Sequence, residues 1–284
     1  MEKSIKSLEA RITILEKSAG DTSVNVIDTS KNIIEEFTED DKPQNINFII
    51  NSETFYFSSP WGYNKPENKD RKYPIVVFGK HDESVSFTDT IRKKYPAFYF
   101  IYLKATEADG VALENLISNV IIKEKGYRID TNRMYLTGFS EGGSGGYKLL
   151  QGLYTKGMFF AGMIRIAGQS QTSLNNEIVA KTSIWYHIGL SDSDVRVQTA
   201  DNAYLFMKNN SYNSLANEVI ANDTVTSTVN NIVIDFPRTT KTLVNNNVEV
   251  FKLSSYKTMG HITSPAYSDP TIFDWLFSQN LLNK

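Results

Sequence analysis

Ser140 lies in a turn whose composition suits a nucleophile. The surrounding residues read Gly138-Phe139-Ser140-Glu141-Gly142, directly after a short apolar strand. Glycines on both sides permit a backbone tight enough to present a serine hydroxyl at the end of a strand. A helix is predicted over 143–153, so the amide that follows the serine would lie at a helix start and could stabilise an oxyanion. The pattern predicts acyl transfer through Ser140, with a glycine-rich turn that merely contains serine as the alternative.

The elements around this turn alternate between strands and helices. Two continuous apolar runs, at 74–78 and 97–103, are typical of strands buried on both faces of a parallel sheet. Further strands are predicted at 54–58, 161–167, 183–188 and 248–253, and helices at 111–125, 198–208 and 271–281. This order predicts an α/β fold with a doubly wound, mostly parallel sheet. The site of such a sheet lies at the carboxyl ends of its strands.

A nucleophilic serine needs a general base, and the chain has three histidines. In serine hydrolases built on such a sheet, the order along the chain is nucleophile, acid, histidine. His81 precedes Ser140, and no aspartate separates His187 from the serine. His261 follows several aspartates and lies in the loop between the last predicted strand and the last predicted helix. We therefore predict His261 as the base.

Two aspartates compete for the third role, which is to orient the histidine and stabilise its protonated form. Asp192 lies three residues after Gly189, close to the predicted end of the 183–188 strand. Asp194 is an alternative acid, although it could instead cap the helix expected to begin at Gln198. We favour Asp192, and the choice between the two aspartates stays open at this point.

Several sequence blocks together resemble one branch of the α/β hydrolases, the polyhydroxybutyrate-depolymerase and feruloyl-esterase-like family. These blocks are 73–78, 129–140, 159–163, 167–168, 260–261, 266–270 and 273–276. The resemblance spans about residues 54 to 279. It implies the α/β-hydrolase fold and a serine esterase, with Ser140, Asp192 and His261 at the matching catalytic positions and no cofactor or metal. It leaves the substrate open.

The chain departs from that family around the expected oxyanion hole. A His-Gly pair usually follows the 73–78 strand, but here the residues are Gly79-Lys80-His81-Asp82. The resemblance therefore implies the amide of Glu141 as one oxyanion donor and the amide of His81 or a neighbour as the other. A carboxylate at position 141 would oppose a developing oxyanion unless it turns away or pairs with a cation such as Lys80.

An Asn- and Thr-rich region at about 209–247 reads as an insertion. Its apolar core, 232–236, predicts a hairpin. The hairpin is either a lid or wall of the site or a surface decoration, because long loops of this kind are often but not always functional.

The first twenty residues have a different pattern from the rest. Apolar residues recur at heptad spacing, as in the seam of a coiled coil, at Ile5, Leu8, Ile12 and Leu15. A helix this short is marginal alone, so we predict that it packs either in a homo-oligomer or on its own domain. Residues 20–45 read as a polar linker, and the hydrolase domain is predicted over 46–284.

Composition limits the classes of partner. The formal net charge is −2 and the basic residues are dispersed, which argues against nucleic acid. No apolar run has the length of a membrane span, and the N-terminus lacks the apolar core of a signal peptide. The expectation is a soluble protein, cytoplasmic or virion-associated. The chain contains no cysteine, so it has neither disulfides nor a thiol nucleophile.

These observations predict a serine carboxylic-ester hydrolase whose substrate is a small ester or an acylated carbohydrate. A heptad segment linked to an esterase-like domain would suit an oligomeric virion tail component that deacylates a cell-surface polysaccharide. The alternatives are a catalytically weak or inactive carbohydrate-binding module and a peptidase of the same fold.

Overall fold

The computed structural model describes residues 37–50, 53–79, 87–102, 109–170 and 172–284. The predicted heptad residues Ile5, Leu8, Ile12 and Leu15 lie outside the described residues, as does most of the predicted linker. The loop that contains His81 lies outside them too.

Ten strands form a single sheet within these residues. The strands are β1 Asn45–Ile50, β2 Glu53–Ser58, β3 Tyr73–Phe78, β4 Phe98–Ile101, β5 Ile129–Phe139, β6 Gly162–Ile166, β7 Ser183–Gly189, β8 Asn217–Val229, β9 Ile232–Asn245 and β10 Val248–Tyr256. Their order across the sheet is β1-β2-β4-β3-β5-β6-β7-β10-β9-β8. The six central strands, from β4 to β10 in this order, are parallel. Antiparallel pairs extend both ends.

Helices lie on both sides of this sheet. They are α1 Asp89–Lys94, α2 Gly110–Asn115, α3 Glu141–Tyr154, α4 Asn176–Lys181, α5 Asp194–Asn209, α6 Ser264–Tyr267 and α7 Thr271–Ser278. A π-helical segment, Leu116–Glu124, continues α2. The doubly wound, mostly parallel sheet predicted from the alternation of patterns is confirmed.

The core explains why the central strands read as unbroken apolar runs. Ile75, Val76, Val77 and Phe78 of β3 are all completely buried. A parallel strand covered on both faces must be apolar at every position rather than at every second one. The sequence run at 74–78 thus predicted both the strand and its burial on both faces.

The region predicted as an insertion forms the β8–β9 hairpin at one end of the sheet. Arg238 of β9 pairs with Tyr256, the last residue of β10. Residues 232–237 of β9 therefore continue past the carboxyl end of β10, where they pair with 224–229 of β8. The hairpin tip therefore projects beyond the carboxyl ends of the parallel strands, where the sequence predicts the site.

The described part of the domain begins before residue 46, the boundary expected from the sequence. The amide of Gln44 donates to the Ser59 hydroxyl at 2.8 Å, and the ring of Phe37 lies 5.8 Å from that of Trp61. Residues 37–44 thus pack on the domain that contains the sheet. Within the described residues, no helix has the length and apolarity needed to span a membrane.

Candidate active site

Ser140 occupies the turn between β5 and α3. Its backbone lies at φ 54° and ψ −113°, in a region that residues with a side chain rarely adopt and that costs about 1–3 kcal/mol. The Ser140 amide donates a hydrogen bond to the Ile166 carbonyl at 2.9 Å. The neighbouring strand β6 therefore helps to hold the strained turn in place.

Glycines allow the start of α3 to lie against the end of β5. A Cβ on Gly138 would lie 2.4 Å from the backbone of Gly142. A Cβ on Gly143 would lie 2.8 Å from the Gly138 carbonyl oxygen. Neither approach is sterically possible, so any larger residue would push the helix away from the strand and displace Ser140.

The loops that carry Asp192 and His261 are joined at their bases. The Ser191 amide donates to the Met259 carbonyl at 3.0 Å. Gly189 makes this contact possible, because a Cβ there would lie 2.0 Å from the Met259 carbonyl oxygen. Since these loops leave the paired strands β7 and β10, the sheet fixes their spacing.

The structure brings Ser140, Asp192 and His261 into one hydrogen-bonded series. Nε2 of His261 lies 3.0 Å from the Ser140 Oγ, and Nδ1 lies 2.7 Å from Oδ2 of Asp192. Both distances are within hydrogen-bonding range. In this arrangement the carboxylate can hold the imidazole with one nitrogen toward the serine, ready to accept its proton.

Asp192 is set up to remain ionised. Its side chain is only 2% exposed, and it accepts hydrogen bonds from the Ser193 amide at 2.6 Å and from Arg196 Nη1 at 3.2 Å. Burial raises the pKa of Asp192, but the hydrogen bonds from His261 and Ser193 and the charges of His261 and Arg196 outweigh burial. The pKa of Asp192 is therefore below its ordinary value of 3.8. An ionised carboxylate in this position stabilises an imidazolium.

Asp194, the alternative acid, is the first residue of α5. The helix begins four residues before the predicted start at Gln198, because Ser193 has the extended backbone of an N-cap residue. Asp194 therefore lies in the first helical turn, where a carboxylate is favourable next to the helix dipole. His261 contacts Asp192 and not Asp194.

His187 is a buried histidine of β7, away from the serine. Its Nδ1 lies 3.0 Å from the Tyr256 hydroxyl. Burial and the charges of Arg238 and Lys252 lower the pKa of His187 well below 6.5. It is therefore neutral at physiological pH.

A polar pocket of about 340 Å³ opens beside Ser140. It is lined by Ser140, Glu141, Ser144, Gly145, Lys148, Gln169, Ser170 and Arg196. The Ser144 hydroxyl donates to the Ser140 carbonyl at 3.0 Å and accepts from the Gln169 amide at 2.9 Å. The sequence prediction missed six of these residues: Ser144, Gly145, Lys148, Gln169, Ser170 and Arg196. The spacing of Ser144 and Lys148 from Ser140, four and eight residues along a predicted helix, was the available signal.

Of the two predicted oxyanion donors, Glu141 lies within the described residues and His81 does not. Glu141 is the first residue of α3, so its amide is one of those with no acceptor inside the helix. The Glu141 side chain is exposed and lines the pocket. His81 and Lys80 lie outside the described residues, but the Gly79 amide just before them donates to the Thr137 carbonyl at 2.9 Å. The chain thus leaves β3 directly beside the strand that carries Ser140.

Among the described residues, no group of three or more acidic or histidine side chains is placed to hold a metal ion.

Comparison with known proteins gives matches in structure but not in sequence. No protein-family model matches the chain, and no curated protein matches it. A thermostable esterase is similar in structure with a TM-score of 0.56 and 18% identity, covering 85% of this chain. The present chain spans only 64% of that esterase.

Two further solved structures have a TM-score of 0.51. One is the feruloyl esterase module of Clostridium thermocellum in complex with sinapinate, 12% identical, with 88% of this chain and 93% of that one covered. The other is an acetyl xylan esterase from Aspergillus awamori, 13% identical, with 83% and 98% covered. The protein has the α/β-hydrolase fold. The three solved structures named above are esterases.

Proposed function

We propose that the protein is a serine carboxylic-ester hydrolase that acts through an acyl-enzyme. The observation that carries this proposal is the position of His261, with one ring nitrogen 3.0 Å from Ser140 Oγ and the other 2.7 Å from Asp192 Oδ2. A serine, a base and an acid in this series are the groups that activated-serine catalysis requires.

The reaction follows from these positions. Ser140 Oγ attacks the ester carbonyl while His261 Nε2 removes its proton, and Asp192 stabilises the imidazolium that forms. The tetrahedral intermediate then collapses, and His261 protonates the departing alcohol. In the second half, His261 removes a proton from water, which attacks the acyl-enzyme. His261 then returns that proton to Ser140 Oγ as the acid is released.

The negative charge on the intermediate needs donors that are already in place. The Glu141 amide, at the start of α3, supports one oxyanion contact. We assign the second donor to the amide of His81 or an immediate neighbour. The exposed Glu141 carboxylate is compatible with this role if it is directed into the pocket and away from the oxyanion.

Labelling with a fluorophosphonate tests whether the serine is activated. We expect stoichiometric modification that maps to Ser140 by peptide mass spectrometry and is lost in Ser140→Ala. The exposed serine Ser211 serves as a matched control, and Ser211→Ala should label like the parent chain. Hydrolysis of short-chain 4-nitrophenyl esters should follow the same pattern across the three proteins.

A second candidate is a carbohydrate-binding module with weak or no catalysis, and the Glu141 carboxylate beside the nucleophile is the observation that favours it. Folded protein that neither labels nor hydrolyses aryl esters would support this candidate. A chain that cleaves peptide amides as readily as matched esters would instead be a peptidase.

We also propose that the full chain is a homo-oligomer joined by its N-terminal heptads, in the manner of a virion tail component acting on a cell-surface polysaccharide. The support is the spacing of Ile5, Leu8, Ile12 and Leu15 in the sequence. Light scattering after size exclusion should give a dimer or trimer for the full chain and a monomer for a chain that begins at Phe37. A monomeric full chain would contradict the proposal.

A further inference from the structure

The pocket beside Ser140 contains a cation at a defined distance from the nucleophile. Ser140, Ser144 and Lys148 are spaced four residues apart, so they share one face of α3. Lys148 lies eight residues along the helix from Ser140, which corresponds to about 12 Å. Lys148 lines the same pocket as Ser140. Within the described residues, no carboxylate forms an ion pair with Lys148.

A second cation, Arg196, lines the same pocket. Its Nη1 donates to Oδ1 of Asp192 at 3.2 Å and to the Ser193 hydroxyl at 3.0 Å. Its Nε is buried and has no hydrogen-bond partner among the described residues. Arg196 therefore holds the catalytic carboxylate with one nitrogen and leaves donor capacity for another group.

The pocket also contains a hydroxyl without a partner. Ser170 Oγ is buried and makes no hydrogen bond with any described residue. A buried polar group left unpaired costs about 1–3 kcal/mol. Ser170 and Arg196 both line the pocket, so a polar ligand bound there would lie next to both residues.

The lining favours a polar ligand. Its members are hydroxyl, amide and charged residues with one glycine, and none of them is aliphatic or aromatic. Hydroxyl and amide groups match the hydroxyls of a sugar. The charged members of the lining are Lys148, Arg196 and Glu141. Because Arg196 already pairs with Asp192 at 3.2 Å, Lys148 is the cation available to an anionic group of a ligand.

We propose that this pocket binds the alcohol portion of the ester and that this portion is an acidic sugar. Its carboxylate would lie at Lys148, and its hydroxyls would meet Ser144, Gln169 and Ser170. This assignment rests on the proposed esterase function and narrows its substrate to acylated anionic carbohydrate.

Binding tests the assignment without requiring turnover. Ser140→Ala protein is titrated with a trisaccharide of glucuronate and with the matching trisaccharide of glucose, which differ only at C6. We expect the acidic sugar to bind about fivefold more tightly at low ionic strength. The difference should disappear near 1 M salt, where the screening length falls to about 3 Å. Lys148→Gln in the same background should reduce the preference, whereas Lys156→Gln, outside the pocket, should retain it.

Equal binding of the two sugars, or a preference that Lys148→Gln leaves intact, would overturn the assignment. A kinetic comparison locates the carboxylate within the ester. Acetylated methyl glucuronoside should be hydrolysed faster than acetylated methyl glucoside, and 4-nitrophenyl hemisuccinate no faster than 4-nitrophenyl butyrate. An acid preference confined to the succinyl pair would overturn the placement on the alcohol.

The proposed function and this assignment fail in different ways. Hydrolysis of 4-nitrophenyl acetate through Ser140 with no preference for acidic sugars would retain the esterase and reject the assignment. Tight binding of the acidic sugar with no hydrolysis of any ester would reject the esterase and retain a pocket for acidic sugar.

Discussion

Arg196 donates a hydrogen bond to Oδ1 of Asp192, the carboxylate oxygen that does not face His261. Both oxygens of the buried carboxylate are thereby fixed, and the carboxylate cannot rotate away from the imidazole. We expect Arg196→Gln to lower kcat for 4-nitrophenyl acetate about tenfold, the equivalent of one charged hydrogen bond.

The matched control for this change is Arg133→Gln, which removes a surface arginine paired with Asp130 at 2.6 Å. That variant should keep the parent kcat. If the two variants have the same rate, Arg196 does not position Asp192.

The folded protein should be more stable with glycine at position 140 than with a residue that has a side chain. At φ 54° a side chain is strained, and the strain is absent for glycine. Ser140→Ala and Ser140→Gly both remove the hydroxyl, so their comparison isolates the backbone. We expect the glycine variant to be about 1 kcal/mol more stable than the alanine variant in urea unfolding. The opposite order would show that the turn is relaxed.

The ion pair between Arg238 and Asp269 joins the β8–β9 hairpin to the segment after the His261 loop. Both side chains are almost fully buried, at 7% and 4% exposed. We expect Asp269→Asn to lower the free energy of unfolding by about 2 kcal/mol, because Arg238 loses one charged hydrogen bond but keeps its second partner, Asp223. Thermal or urea unfolding measures the change.

Asp274 supplies a control on the same part of the chain. Its pair with Lys94 is exposed, at 58% and 59%. Exposed pairs contribute at most about 1 kcal/mol, so Asp274→Asn should change the stability little. Equal losses in the two variants would contradict a special role for the buried pair.

The buried His187 should make the domain less stable in mild acid. Its pKa in the folded state is well below 6.5, so below pH 6.5 the unfolded chain binds one more proton than the folded chain. The free energy of unfolding therefore keeps its full value above pH 6.5. Below pH 6.5 it falls by about 1.4 kcal/mol for each pH unit. His187→Phe should flatten this dependence. Urea unfolding at pH 7.5, 6.5 and 5.5 measures it, and identical slopes in the two proteins would refute the assignment.

The sequence predicted the structure best where a single physical requirement, such as burial or close backbone approach, determines which residue type fits. A strand covered on both faces must be apolar throughout, so β3 was visible at 74–78. The close approach of β5 and α3 requires glycine, so the turn at Ser140 was visible too. His261 followed from the small number of histidines and from the order of the strands.

The pocket could not be predicted in the same way. Gln169, Ser170 and Arg196 come from different loops and from α5, and nothing local distinguishes them from ordinary surface residues. Their role depends on how β6 and β7 end side by side, which is a property of the folded sheet. The start of α5 was placed too late for a related reason, since Ser193 acts as an N-cap only in its native backbone conformation.

The parallel sheet gives this site a particular place in the order of folding. Ser140 and His261 are 121 residues apart in the chain, and Asp192 and His261 are 69 apart. Contacts over such separations form late, because closing a long loop costs chain entropy before the contact contributes any stabilisation. Recovery of the proposed esterase activity during refolding should therefore lag behind the recovery of helical signal. The active site would then report the docking of β10, the strand that brings the last of its three groups.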